Sequence, residues 1–220
     1  MRTQILLKRA YHDTFTIPML FLIGAGLSQQ PSRAAVPPLK LDTNDQHEFP
    51  NEAVNADTNN LKIKALASYI KDRFKISEGK AATIVSEAFR NGVKQGLQPE
   101  LILAVIAVES RFKEKAVSPA GARGLMQVLA RAHPKKVKKL GGLPALYDAR
   151  KNISLGTHIL AQYKDVSNGN IRRTLLRYNG SLGKGSRYPD KVMRVYKQMK
   201  TTARLTEQLQ LAQANRTLIQ

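Results

Sequence analysis

The 220 residues hold 36 Lys/Arg against 16 Asp/Glu, with no cysteine and no tryptophan, for a formal charge of +20. That length suits one good-sized domain with tails, and the lack of cysteine excludes disulfides, thiolate metal sites and a cysteine-linked lipid anchor within it. Residues 61–200 hold 29 Lys/Arg and 9 Asp/Glu, whereas residues 1–60 hold 5 and 6. A basic body of this size suits an anionic partner: a cell-wall polymer, a membrane surface or nucleic acid.

In chain order, Arg2, Lys8 and Arg9 precede an apolar stretch from Phe15 to Leu27, interrupted by Pro18, Gly24 and Gly26. Thirteen residues are short for a bilayer span and match the apolar region of an export signal. Ser32 and Ala34 follow with the small-residue spacing of a cleavage site. Residues 1–34 therefore read as a signal peptide or N-terminal anchor, and the expected location is the periplasm or cell envelope. A nucleic-acid partner is not expected of an exported chain. Residues 35–60, rich in Pro, Asn and Asp, read as a linker.

From Leu61 the apolar spacing turns helical, with Leu66, Tyr69, Ile70 and Phe74, then Ile84, Val85, Ala88, Phe89 and Val93. Ser77 with Glu78 suits the start of the second helix, and Gly92 and Gly96 mark its end. Pro99-Glu100 opens a third, with proline at the first helical position and an acid in the first turn. Its residues Leu101 to Val108 are all apolar, so this should be the buried central helix. Further helices fit 153–163, 171–178 and 191–200, and the sequence allows a short β-hairpin within 116–128. The domain is expected over 61–200, mainly α, with residues 201–220 as a helix-forming tail.

Glu109 ends the central helix, and a loop follows with Ser118-Pro119, Gly121, Gly124 and Gln127. A carboxyl group set against apolar side chains has its charged form disfavoured, which is the condition for a general acid. Glycosidic cleavage usually uses two carboxylates. Glu100 is nine residues back, about half a turn off the face of Glu109 at roughly 100° per residue. Glu114 lies past the helix end. Asp148, Asp165 and Asp190 are distant in sequence. An isolated glutamate at a helix end is also a common surface residue. The four histidines show no metal-ligand spacing, and Lys135-Lys136-Val137-Lys138-Lys139 reads as a solvated face or a site for anionic polymer.

Residues 99–129 resemble the catalytic core of the soluble lytic transglycosylases, a lysozyme-like family related to goose-type lysozyme. The likeness rests on Glu109-Ser110, Ser118-Pro119 and Gly121-Ala122-Arg123-Gly124-Leu125-Met126-Gln127. Three later segments match in order: Asn152-Ile153-x-Leu155-Gly156, Arg177-Tyr178-Asn179-Gly180 and Tyr188-Pro189-x-Lys191-Val192. The departures are Ala130 in place of a usual proline, Arg177 in place of a usual alanine, and a short 179–188 stretch without an acid.

The resemblance implies a lysozyme-like domain that cuts the β-1,4 bond between N-acetylmuramic acid and N-acetylglucosamine in peptidoglycan. It implies Glu109 as sole acid/base, a 1,6-anhydromuramyl product, and no cofactor or metal. Ser118, Gly124, Gln127, Tyr178, Asn179 and Tyr188 would be the substrate-binding positions. Two alternatives stay open: a hydrolytic muramidase, and a non-catalytic basic protein binding cell wall or nucleic acid.

Overall fold

The computed structural model describes residues 51–217. The expected signal or anchor at 1–34 and the linker as far as Pro50 lie outside the described residues. Among the described residues there are seven helices: α1 (Asn51–Phe74), α2 (Glu78–Gln95), α3 (Pro99–Glu109), α4 (Pro134–Leu140), α5 (Ala149–Asp165), α6 (Ile171–Tyr178) and α7 (Tyr188–Thr217). Between α3 and α4 lie two short antiparallel strands, β1 (Ala122–Arg123) and β2 (Val128–Leu129), with Ala122 opposite Leu129. Short 3-10 turns occupy Ala130–Ala132 and Leu143–Tyr147. The mainly α architecture with a small hairpin agrees with the sequence.

Helix α3 is the centre of the core. Leu101 to Ala107 are all buried, because α7 and α2 pack on the helix and no stripe of it faces water. Each of its large aliphatic side chains contributes about 1.5–3 kcal/mol by leaving water. Around this pair of contacts α1 packs on α2 and α7, while α5 packs on α2 and α6. A buried carboxylate, Glu87, meets Arg90 and lies 3.6 Å from Arg150 Nε, which joins α2 to α5. Lys164 Nζ donates to the Gly96 carbonyl at 2.7 Å and ties the end of α5 to the end of α2.

Four expectations change. Helix α1 starts at Asn51, inside the stretch read as linker, since no proline or glycine interrupts residues 51–78. Likewise α7 runs on to Thr217 without a break at residue 200, and Met199 and Ala203 are both buried. Val93 is 84% exposed rather than core, because it lies nine residues and half a turn from the buried Ile84. Gly92 sits inside α2, and only Gly96 closes it, in the left-handed region.

Candidate active site

Ser110 stops α3 by turning both its backbone N–H and its hydroxyl back onto the Ile106 carbonyl, at 3.0 and 3.2 Å. Arg111 and Phe112 then take φ values of 53° and 63°, left-handed backbone that costs non-glycine residues about 1–3 kcal/mol each. Burial of Phe112 against Phe74, ring centroids 4.6 Å apart, offsets that cost. The reversal leaves Glu109 half-buried at the end of a rigid, buried helix. Tyr188, the first residue of α7, donates its hydroxyl to Glu109 Oε1 at 2.8 Å.

The loop carrying Gly124, Met126 and Gln127 is held by side chains from α5 and α6. Asn152 Oδ1 accepts from the Met126 N–H at 2.8 Å, while its Nδ2 donates to the carbonyls of Leu146 and Arg123 at 2.8 and 3.0 Å. From the other side Tyr178 donates to the Met126 carbonyl at 2.7 Å. Gln127 Nε2 bridges two loop carbonyls, those of Gly124 and Ala116, at 2.9 and 3.1 Å. Two glycines permit this. A Cβ on Gly124 would come within 2.2 Å of Asn152 Nδ2, and one on Gly156 within 2.6 Å of the Met126 side chain.

Two phenols stay protonated beside the carboxyl group. Burial pushes Tyr188 well above the ordinary tyrosine range, followed by the charge of Glu109, the neighbouring Tyr178 and the hydrogen bond to Glu109. Burial does the same to Tyr178, with the charge of Glu109 and then Tyr163 adding to it. Tyr163 meets Tyr178 edge-on at 6.4 Å. Beside them a pocket is lined by Gln127, Val128, Leu129, His133, Ile159, Tyr163 and Tyr178.

The structure thus brings Glu109 and Tyr188 into contact, places Tyr178 within reach of the Glu109 charge, and sets Gln127 on the same pocket as Tyr178. Ser118 lies in the hairpin, its Oγ accepting from the Ala122 N–H at 3.1 Å. Asn179 ends α6 and donates to Ser181 Oγ at 3.3 Å. Gly124, read from sequence as a substrate contact, shows close internal packing: the place of a side chain is filled by Asn152 and the Leu146 carbonyl. Asn152, Tyr163 and His133 were not singled out as site residues. Asn152, Gly156 and Tyr163 are spaced by four and seven, one face of α5, and that spacing was the available signal.

The sequence profile of the transglycosylase SLT domain matches residues 87–200, just over half of the chain. The chain belongs to the transglycosylase SLT domain family. Curated relatives described as membrane-bound lytic murein transglycosylase C are similar to it. The protein from Photorhabdus laumondii subsp. laumondii is 36% identical over 104 residues, covering 41% of this chain and 29% of that one. The Klebsiella pneumoniae protein is 39% identical over 103 residues, with 41% and 29% covered. The SLT-family chain thus aligns with under a third of the length of these relatives. A solved structure, an inactive mutant of lytic transglycosylase Slt from Pseudomonas aeruginosa, is 25% identical with a TM-score of 0.44, covering 58% of this chain and 24% of that one. Within the SLT segment lie Glu109, Ser118, Gly124, Gln127, Asn152, Tyr163, Tyr178, Asn179 and Tyr188.

Proposed function

We propose that this chain is a peptidoglycan lytic transglycosylase of the cell envelope, with Glu109 as its only catalytic acid and base. The observation that carries the reading is the Tyr188–Glu109 hydrogen bond at the end of a buried helix. It puts the one carboxylate of the matched motif between a rigid support and a phenol that stays protonated. Three of the other carboxylates weighed from the sequence are engaged elsewhere. Asp148 caps α5 by accepting from the Lys151 N–H at 2.9 Å, Glu114 pairs with Lys80 at 3.0 Å, and Asp190 pairs with Arg172.

In this reading protonated Glu109 gives its proton to the bridging oxygen as the bond to the muramyl C1 breaks. The muramyl acetamido oxygen stabilises the cationic carbon. The Glu109 carboxylate then takes the proton of the same sugar's C6 hydroxyl as that oxygen bonds to C1, so the enzyme regains its starting state and no water is consumed. Tyr188 orients the carboxyl group in both steps. Ser118, Gln127, Tyr178 and Asn179 offer hydroxyl, amide and phenol groups to sugar hydroxyls and acetamides without adding charge. Gly124 acts by letting the loop close.

Digestion of sacculi in oxygen-18 water tests the mechanism. The new muramyl ends should be unlabelled and one water lighter than hydrolytic ends. Label at those ends would make the protein a hydrolytic muramidase and overturn the single-carboxylate assignment.

A further inference from the structure

The groups around Glu109 are uncharged, yet the segments that carry them are strongly basic. From Lys115 to Tyr147 the sequence has seven Lys/Arg and no Asp/Glu, and from Val166 to Pro189 it has five and again none. The first stretch forms the hairpin, the Gln127 loop and α4; the second forms α6 and the loop joining Tyr178 to Tyr188. Both adjoin the site. His133, the residue before α4, shares a pocket with Gln127 and Tyr178, and Tyr188 touches Glu109.

Helix α4 buries Val137 and leaves Lys135, Lys138 and Lys139 exposed, with Arg131 exposed just before it. On the other segment Lys184 and Arg187 are exposed between the two tyrosines. None of these six forms an ion pair among the described residues, whereas Arg172 in the second segment does, with Asp190. Arg187 feels the Asp190 charge, but the rest of the group has no acid in its own segment. Crowded cations work against the compact state by self-repulsion that an anionic ligand relieves. Arg177 adds an independent sign. Its Nε–H is buried with no hydrogen-bond partner among the described residues, so its charge is not neutralised through that atom. Its charge also offsets part of the burial effect on the Tyr163 phenol, which places the guanidinium near the site's aromatic pair.

We propose that this cation-only rim binds carboxylates, so that the protein selects glycan strands whose peptide substituents carry ionised carboxyl groups. The inference rests on the proposed reading of the Glu109 cleft. The sugar backbone of such a strand is held by neutral groups in the cleft, and its acidic substituents reach outward to the lysines and arginines of the adjoining segments.

The test uses the full chain as the Glu109→Gln variant, so that binding is read without cleavage. Two ligands are compared: peptide-bearing strands, and the same strands with their carboxyl groups capped as methylamides. Capped strands should bind about tenfold more weakly at low ionic strength, the size expected of several exposed charge contacts. The gap should shrink to about twofold in high salt. Replacing Lys135, Lys136, Lys138 and Lys139 together by Gln should narrow the gap, while Lys64→Gln with Lys94→Gln on α1 and α2 should leave it. Equal binding of the two ligands, or a gap untouched by salt, overturns the proposal whether or not the quadruple variant folds. So does a result in which the α4 lysines govern binding to phosphatidylglycerol vesicles but not the strand ratio, which would assign the surface to a membrane. If the wild-type chain cleaves neither strand, the reading of Glu109 fails, and the binding ratio still decides this one.

Discussion

The helical frame built on α1, α2, α3 and α7 and the loop lobe between Phe112 and Tyr147 are held by different forces. The frame is held by burial of Ile, Leu, Val and Ala side chains, a non-directional force shared over many residues. In the lobe the backbone is irregular, with left-handed residues at Phe112, Gly121, Gly124 and Gln127, and its polar groups are met one by one. The frame therefore tolerates exchange among apolar residues of similar volume. The lobe does not, because a hydrogen bond to one atom has no substitute. Glu109 lies where the two meet: its backbone belongs to the frame and its surroundings to the lobe and to the start of α7.

The sharpest way to separate chemistry from both regions is Glu109→Gln. Cleavage of sacculi should fall by about a thousandfold or more, within the range of acid–base catalysis, with the melting temperature unchanged. Substantial residual activity in the purified variant would move the chemistry to another acid. Next come Ile102→Ala in the frame and Asn152→Ala at the lobe. The first removes a fully buried side chain and should cost about 2–5 kcal/mol. The second breaks three hydrogen bonds and should cost about 2–4 kcal/mol. Their activities should diverge: well below its melting temperature the Ile102 variant should cleave nearly as the parent does, and the Asn152 variant should be folded but almost inactive. Equal activities, alongside denaturant midpoints confirming the stability loss, would erase the distinction between the regions.

A smaller effect is expected from the phenol at their junction. Tyr188→Phe should lower the rate by about ten- to a hundredfold with little change in KM, since in the proposed mechanism the hydroxyl orients the acid rather than holding the sugar. The two raised tyrosines also predict a pH signature. A group whose folded pKa lies above its unfolded one contributes stability that is present below the unfolded value, about 10 for tyrosine. Denaturant midpoints should hold through neutral pH and fall as the pH rises above about 10, and Tyr188→Phe should soften that fall. The smallest effect should be at Asp190→Asn. Its carboxylate is exposed and held low by the Arg172 hydrogen bond, so cleavage and melting temperature should both match the parent. Lost activity there would point to the second carboxylate that a muramidase needs.

The frame was legible in the sequence because burial leaves a periodic mark: Leu66, Ile70, Ile84, Val85 and the run from Leu101 can be read without knowing their neighbours. The element ends were less so. Nothing in a polar helical stretch such as residues 51–60 distinguishes a helix from a linker until a packing partner is known. At the site, Glu109, Gln127, Tyr178 and Tyr188 were all named beforehand through the ordered motifs. What sequence did not show is which of the matched residues face a ligand and which hold the loop. Asn152 and Gly124 look alike as motif letters, and only their mutual approach reveals that each occupies the space of the other.

Tyr188 is the first residue of a helix that continues for 30 residues, and the side chains that seat this helix on the core, Val192, Met199 and Ala203, all lie downstream of it. The aim of the phenol is thus an angular quantity, set by counting residues back from the buried anchors. Deleting one residue between Tyr188 and Val192 would keep every anchor in place and turn the phenol by roughly 100° about the helix axis, with a shift of about 1.5 Å along it. The hydroxyl would then swing off Glu109 although no residue of the site had been substituted. In this protein the indexing of one helix is as much a part of the acid's environment as the atoms that touch it.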